Sequence, residues 1–90
     1  MAKVKFTSAL KRFFPALSET SVNATNVHDV IIALEKKHPG LSGYLVDDAG
    51  QLRQHVNVFV KDSLIQDRIK LSDIVADEDE ILIFQALSGG

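Results

Sequence analysis

Apolar and polar residues alternate at the start of the chain, which predicts a β-strand there. In residues 3–7, Val4 and Phe6 are separated by lysine, and this period of two places both side chains on one face. Residues 81–84 form a short, continuously apolar run and predict the last strand. Both strands are apolar enough to lie at the centre of a sheet.

Two more strands are predicted in the interior of the chain. Valines at every second position of residues 56–60 predict the strongest strand. Residues 18–24 are rich in Ser and Thr around Val22 and predict a polar-faced strand that pairs back on the first. Residues 64–65 form at most a short strand.

One amphipathic helix is predicted before the strongest strand. Thr25 or Asn26 suits its N-cap, and Pro39 and Gly40 end it. Its apolar residues recur at i, i+3, i+4 and i+7 and form a single stripe: Val27, Val30, Ile31 and Leu34. Such a helix buries one face and needs a sheet on which to pack.

The connections between these elements are predicted to be irregular. Residues 8–15 are interpreted as a loop that lays Leu10 and one of two adjacent phenylalanines on the core. Residues 41–52 contain Asp and Gly turn residues and form a long connection. Residues 71–75 suit either a one-turn helix or a loop, and residues 77–80 are interpreted as an acidic, solvated turn.

The composition restricts the function to a few classes. Ninety residues, 46% hydrophobic and 24% charged, make one globular domain. A net charge of −2 argues against nucleic acid or a membrane as partner, and the absence of Cys excludes disulfides and Cys nucleophiles. The histidines lack metal-ligand spacing and no run could cross a bilayer, so we expect a cytoplasmic protein with no metal or cofactor. The cations near the start are interpreted as interspersed surface charge rather than a basic patch: Lys3, Lys5, Lys11 and Arg12.

The order of elements, β-β-α-β-(β)-β, predicts an α+β protein with the β-grasp, or ubiquitin-like, arrangement. We expect a mixed sheet of four to five strands with the helix on one face and the first and last strands side by side. This domain is expected to span residues 1–85, and residues 86–90 are expected to form a flexible tail. The tail ends in Gly89 and Gly90, and Gly suits a backbone that must pass through a narrow space.

This order, with the Gly-Gly end, resembles the ubiquitin-like sulfur carriers of the MoaD/ThiS family, in particular the CysO-like branch. The resemblance covers nearly the whole chain and is carried by the first and last strands, by the helix phrase of residues 30–41, by the strand phrase of residues 54–62 and by the final glycines. The family often has Pro in the approach to the tail and Ala before the glycines, where this chain has Gln85 and Ser88. Ser88 is still small.

The resemblance implies a carrier rather than an enzyme. A MoeB/ThiF-like adenylating enzyme would use ATP to convert the Gly90 carboxylate into an acyl-adenylate, and sulfide or a persulfide would displace AMP to leave a thiocarboxylate. A sulfur-acceptor enzyme of cysteine, molybdopterin, thiamin or thio-tRNA biosynthesis would then take the sulfur. The protein would have no catalytic residue of its own and would be a monomer when free.

A docking surface is predicted beside the tail. In the β-grasp register, alternate residues of the last strand point away from the helix-covered core, and Phe59 lies on the same open face. Exposed aromatic residues near a reactive tail are typical of a surface that binds a partner. The predicted docking residues are Phe59, Leu82, Phe84, Leu87 and Ser88. The alternative is that the segment with Phe13 and Phe14 covers this face.

Three functions remain open at this point. The first is a sulfur carrier. The second is a protein modifier that is conjugated through Gly90 to lysines of other proteins, which differs from the first only in the nucleophile. The third is a β-grasp interaction domain with an inert end, or a subunit whose tail only plugs a partner's active site. A molybdopterin synthase small subunit would combine carrier and plug.

Overall fold

Five strands form one mixed sheet in the computed structural model, which describes residues 1–85. The strands are β1 (Ala2–Phe6), β2 (Thr20–Val22), β3 (Val56–Val60), β4 (Ser63–Leu64) and β5 (Glu80–Gln85). Their order is β2-β1-β5-β3-β4, with β1 and β5 parallel at the centre and the other neighbours antiparallel. The predicted β-grasp topology is therefore confirmed, including the adjacent first and last strands.

The main helix, α2 (Val27–Lys37), packs its predicted stripe against the sheet. The side chain of Asn26 caps it by accepting a hydrogen bond from the Asp29 N–H at 2.8 Å. All four residues of the stripe are buried. Past the end of the helix, Gly40 has a φ of +95°, a conformation that glycine adopts without strain.

Alternate strand residues meet the helix and form the core. The buried positions of the three central strands are Ala2, Val4 and Phe6 on β1, Ile81 and Ile83 on β5, and Val56 and Val58 on β3. Because the side-chain period of a strand is two, the intervening residues of the same strands lie on the opposite face. That face carries the candidate site.

Two short helices replace parts of the predicted loops. Residues 8–11 form α1 (Ser8–Lys11) and residues 42–45 form α3 (Ser42–Leu45), so the loop prediction was wrong for these turns. A helix of one turn contains no i, i+3, i+4, i+7 recurrence, so its sequence shows no period. The predicted burial was nevertheless correct, because Leu10 is buried and Phe14 packs against the core.

The acidic turn is only partly solvated. Asp77 and Glu78 are exposed, but Asp79 retains only 5% of its surface exposed. Its carboxylate accepts a hydrogen bond from the Ala76 N–H at 2.7 Å and lies 3.5 Å from Lys61 Nζ. The prediction of a solvated turn was therefore wrong for Asp79. Its side chain points inward and bonds to the backbone of its own turn.

Residues 71–75 form a loop, the second of the two predicted alternatives. The carbonyls of Leu71 and Asp73 accept hydrogen bonds from the N–H groups of His28 and Val27, which begin α2. The loop therefore satisfies backbone donors that a helix start leaves without an intrahelical partner.

Within residues 1–85, no helix is long and apolar enough to cross a membrane.

Candidate partner-docking face

The sheet face opposite α2 carries a continuous set of side chains, called here the open face. These are Lys3 and Lys5 on β1, Glu80, Leu82 and Phe84 on β5, and Asn57 and Phe59 on β3. Leu82 and Phe84 are 37% and 40% exposed, and Phe59 is half-buried. Apolar side chains thus remain in contact with water at the middle of the sheet.

The register brings three of the predicted docking residues together. Phe59 pairs with Leu82 across β3 and β5, and Phe84 pairs with Asn57 two residues further along. Directly opposed residues on one face have Cβ atoms about 5 Å apart, so Phe59 and Leu82 form one patch. The other predicted site residues lie outside the described range: Leu87, Ser88, Gly89 and Gly90.

Ion pairs border this apolar patch. Lys5, the neighbour of Leu82 on β1, lies 2.7 Å from Glu80 and 4.0 Å from Glu19, and Lys3 lies 3.6 Å from Glu19. The hydrogen bond between Lys5 and Glu80 raises the pKa of Lys5 and lowers the pKa of Glu80. A shallow concavity runs between this ion pair and Phe59. Such a surface fits a protein partner with an apolar centre and charged margins.

The last described residue, Gln85, is held at the end of the sheet. Its backbone N–H donates to Thr7 Oγ1 at 3.4 Å, and the Thr7 N–H donates to the Ile83 carbonyl at 3.2 Å. On the other side Gln85 pairs with Val56. Proline at this position would lack the N–H that donates to Thr7. Gln85 therefore lies between the end of β1 and the start of β3.

Arg68 was not predicted as part of this region. Its guanidinium donates to Asn57 Oδ1 at 3.0 Å and to the carbonyls of Arg53 and Val56 at 2.6 and 2.8 Å. β4 pairs only with the C-terminal end of β3. At the N-terminal end of β3, beside Gln85, the Arg68 side chain supplies the hydrogen bonds that a neighbouring strand would make. No local sequence pattern marks this role, since the contacts join distant segments.

The alternative in which Phe13 and Phe14 cover the open face is not what the structure shows. Both rings pack on Tyr44 of α3, with centroid distances of 5.0 and 5.3 Å, and α3 packs beside α2. They therefore lie away from Leu82 and Phe84.

In the part of the chain that the structure describes, no group of three or more His, Asp or Glu side chains is placed to hold a metal ion.

The sequence of the whole chain decides the family. The model of the ThiS family matches residues 4–90, almost the full length and including both terminal glycines. The chain belongs to the ThiS family. The ubiquitin-like sulfur-carrier resemblance is thereby confirmed, together with its β-grasp fold.

Similar proteins within this ThiS-type group carry two kinds of name. The sulfur carrier protein CysO of Mycobacterium tuberculosis is 32% identical over 72 residues, which are 78% of this chain and 77% of that protein. A crystal structure of CysO from this species matches with a TM-score of 0.82 and 26% identity, covering 97% of this chain and all of that one. The small archaeal modifier protein 3 of Haloferax volcanii is 31% identical over 64 residues, 71% of this chain and 68% of that protein.

A second similar solved structure contains a partner. A chain of the Amycolatopsis orientalis BexX/CysO complex matches this ThiS-family protein with a TM-score of 0.85 and 24% identity over the full length of both. At this identity the likeness shows the fold alone. The two curated relatives are thus named as a sulfur carrier and as a modifier protein.

Proposed function

We propose that this ThiS-family protein carries sulfur as a thiocarboxylate on Gly90. The observation that carries the proposal is the family match through residue 90, on a β-grasp domain whose last strand ends five residues earlier at Gln85. In the first step, the Gly90 carboxylate attacks the α-phosphate of ATP and releases pyrophosphate, which gives an acyl-adenylate. In the second, hydrosulfide attacks the acyl carbon, AMP leaves, and a proton is released.

The chemistry belongs to the partner enzyme. A carboxylate is a poor electrophile, and the adenylate supplies the leaving group that makes sulfur attack possible. The role of this chain is to present Gly90 in a slim, unbranched segment, since glycine allows close approach of the backbone to a bound nucleotide. The protein is thus a substrate and carrier, which a MoeB/ThiF-like adenylating enzyme loads in the cytoplasm and a sulfur-acceptor enzyme unloads.

The open face is the proposed docking surface for the adenylating enzyme. Leu82 and Phe84 are on the same strand as Gln85, so an enzyme that binds this face holds the start of the tail as well. Five residues span at most about 17 Å when extended. The nucleotide of the partner must therefore lie within about that distance of the docked end of β5. Leu87 and Ser88 would then line the entrance that the glycines pass through.

A protein-modifier function is the second candidate, and the similarity to small archaeal modifier protein 3 favours it. The activation step is the same, and the nucleophile is a lysine amine instead of sulfide. The product is an isopeptide bond from Gly90 to another protein. Both functions require Gly90, so deletion of Gly90 does not distinguish them. The product does: a thiocarboxylate for the carrier and an isopeptide-linked protein for the modifier.

The test is intact-mass analysis of the full-length chain incubated with the MoeB/ThiF-type enzyme encoded by the same genome, ATP and sulfide. The expected product is heavier by one oxygen-to-sulfur exchange, which maps to the C-terminal peptide and is absent without ATP or after deletion of Gly90. Protein adducts through lysine would instead support the modifier. Pyrophosphate release that continues unchanged after Gly90 is deleted would contradict both.

A further inference from the structure

Three of the six aromatic residues of the chain, five Phe and one Tyr, form a cluster outside the core and outside the open face. This aromatic cluster consists of Phe13, Phe14 and Tyr44. The Phe13 and Tyr44 rings are stacked with centroids 5.0 Å apart, and the Phe14 ring meets Tyr44 edge-on at 5.3 Å. Phe14 packs against the core, whereas Phe13 and Tyr44 are 55% and 38% exposed. The cluster thus combines a partly buried ring, Phe14, with an exposed aromatic surface.

The aromatic cluster lies at the end of the sheet where β5 ends. Thr7, which precedes α1 and the two phenylalanines, is hydrogen-bonded to both Ile83 and Gln85. On the other side, Arg53 connects α3 to the start of β3: its N–H donates to the Leu45 carbonyl at 3.0 Å, and its own carbonyl accepts from the Val56 N–H at 3.0 Å. Both segments that supply the rings are therefore attached to the neighbours of Gln85.

Two cations adjoin the cluster. Lys11 and Arg12 directly precede Phe13 and are exposed, and neither forms an ion pair with any residue in the range 1–85. Lys3 and Lys5, by contrast, are paired with Glu19 and Glu80. Exposed aromatic rings beside unneutralised cations are complementary to a protein surface that presents apolar side chains and carboxylates.

We propose that the aromatic cluster, with Lys11 and Arg12, is a second docking surface that binds an acidic segment of the adenylating enzyme. This inference rests on the proposed function and names a contact beyond the open face. Two contacts, one through the open face and one through the end of the sheet, leave the domain only one orientation relative to the enzyme. The tail then starts from a defined place, which reduces the entropy lost when Gly90 enters the nucleotide site.

A lipid surface fits these observations less well. Two cations attract an anionic leaflet only weakly compared with a polybasic segment of about four to eight, and the chain carries a net charge of −2. A protein partner needs only a few well-placed carboxylates and one apolar side chain.

The experiment measures pyrophosphate exchange and equilibrium binding of full-length variants with the adenylating enzyme of the same genome, at low and high salt. Phe13→Ala is expected to raise KM and Kd about tenfold with kcat unchanged, since Phe13 is exposed and contributes no core packing. The double variant K11E/R12E is expected to weaken binding about tenfold at low salt and less at high salt. The matched controls are Ile74→Ala and Lys70→Glu, exposed positions of the same chemical kinds; both are expected to stay within about twofold.

Unchanged KM and Kd in both Phe13→Ala and K11E/R12E would overturn the second surface. If Leu82→Ala still weakens binding in that case, and deletion of Gly90 still abolishes exchange, the proposed function stands while the inference fails. Pyrophosphate exchange that no longer depends on Gly90 would instead contradict the proposed function itself. Binding of the native chain to phosphatidylglycerol vesicles that Phe13→Ala abolishes, with KM unaffected, would assign the cluster to a membrane and overturn the proposal.

Discussion

Phe59 and Leu82 face each other across β3 and β5 on the sheet face opposite α2. Phe84 continues this patch towards the end of β5, and the Lys5–Glu80 ion pair borders it at the other end. The proposed docking surface and Gln85, the last described residue, are thus parts of one central strand. A partner that recognises this strand recognises both at once.

Loss of the open-face side chains is expected to weaken the partner and spare the fold. We expect Leu82→Ala and Phe84→Ala each to raise Kd for the adenylating enzyme about tenfold, because central apolar contacts dominate binding energy. Both side chains already have more than a third of their surface exposed, so the free energy of unfolding should fall by about 1–2 kcal/mol, less than for truncation of a core side chain. Ile32→Ala, at an exposed apolar residue of α2, on the other side of the sheet, is the control. Equal effects of Ile32→Ala on binding would contradict this localisation.

The buried carboxylate of Asp79 is expected to stabilise the turn that starts β5. Asp79→Ala leaves the Ala76 N–H without its acceptor, and a lost buried hydrogen bond costs about 1–3 kcal/mol. Asp79→Asn keeps an acceptor oxygen and should cost less. Urea unfolding of both variants measures the difference. Asp48→Ala, an exposed acid in another turn, serves as control, and an equal loss there would mean that the Ala76 bond contributes nothing.

Arg68 is expected to hold the start of β3 in place. Arg68→Ala removes donors to Asn57, Arg53 and Val56, and we expect a loss of about 2 kcal/mol in the free energy of unfolding. Arg68→Lys should recover less than half of it, because an ammonium cannot reproduce the planar fork of a guanidinium. Thermal unfolding gives the comparison, with Arg12→Ala as the exposed control. Full recovery by lysine would show that charge alone matters.

Acid is expected to weaken the fold partly through Asp67. Its carboxylate accepts hydrogen bonds from the Ser72 hydroxyl and from the Lys70 and Ile69 N–H groups, which lower its pKa to about 2. In the unfolded chain this carboxyl has a pKa of about 3.9, so between about pH 4 and pH 2 the unfolded state binds more protons and stability falls with falling pH.

The variant Asp67→Asn removes this titration. We expect its unfolding free energy to be lower than that of the native chain at pH 7 and to change less between pH 5 and pH 2.5, as measured by urea unfolding across this range. Asp48→Asn, at an exposed turn position, should retain the full pH dependence. An undiminished pH dependence in Asp67→Asn would show that Asp67 is not the group responsible.

The sequence by itself determined the elements whose pattern repeats along the chain. The alternation around Val4 and in residues 56–60 and the stripe from Val27 to Leu34 are local features with periods of 2 or 3.6, and they led to the β-grasp order. They also placed Leu82 and Phe84 on the face away from the core, because a strand has only two faces. The terminal glycines then indicated the family.

Only the tertiary structure decided the features that join distant segments. Phe13 meets Tyr44 across 31 residues and Arg68 meets Asn57 across 11, and neither pair belongs to a common repeat. The inward-turned carboxylate of Asp79 likewise lies 3.5 Å from Nζ of Lys61, a residue of a distant turn. Periodicity reports which face of an element is apolar. Which elements and loops pack against one another is a property of the folded chain.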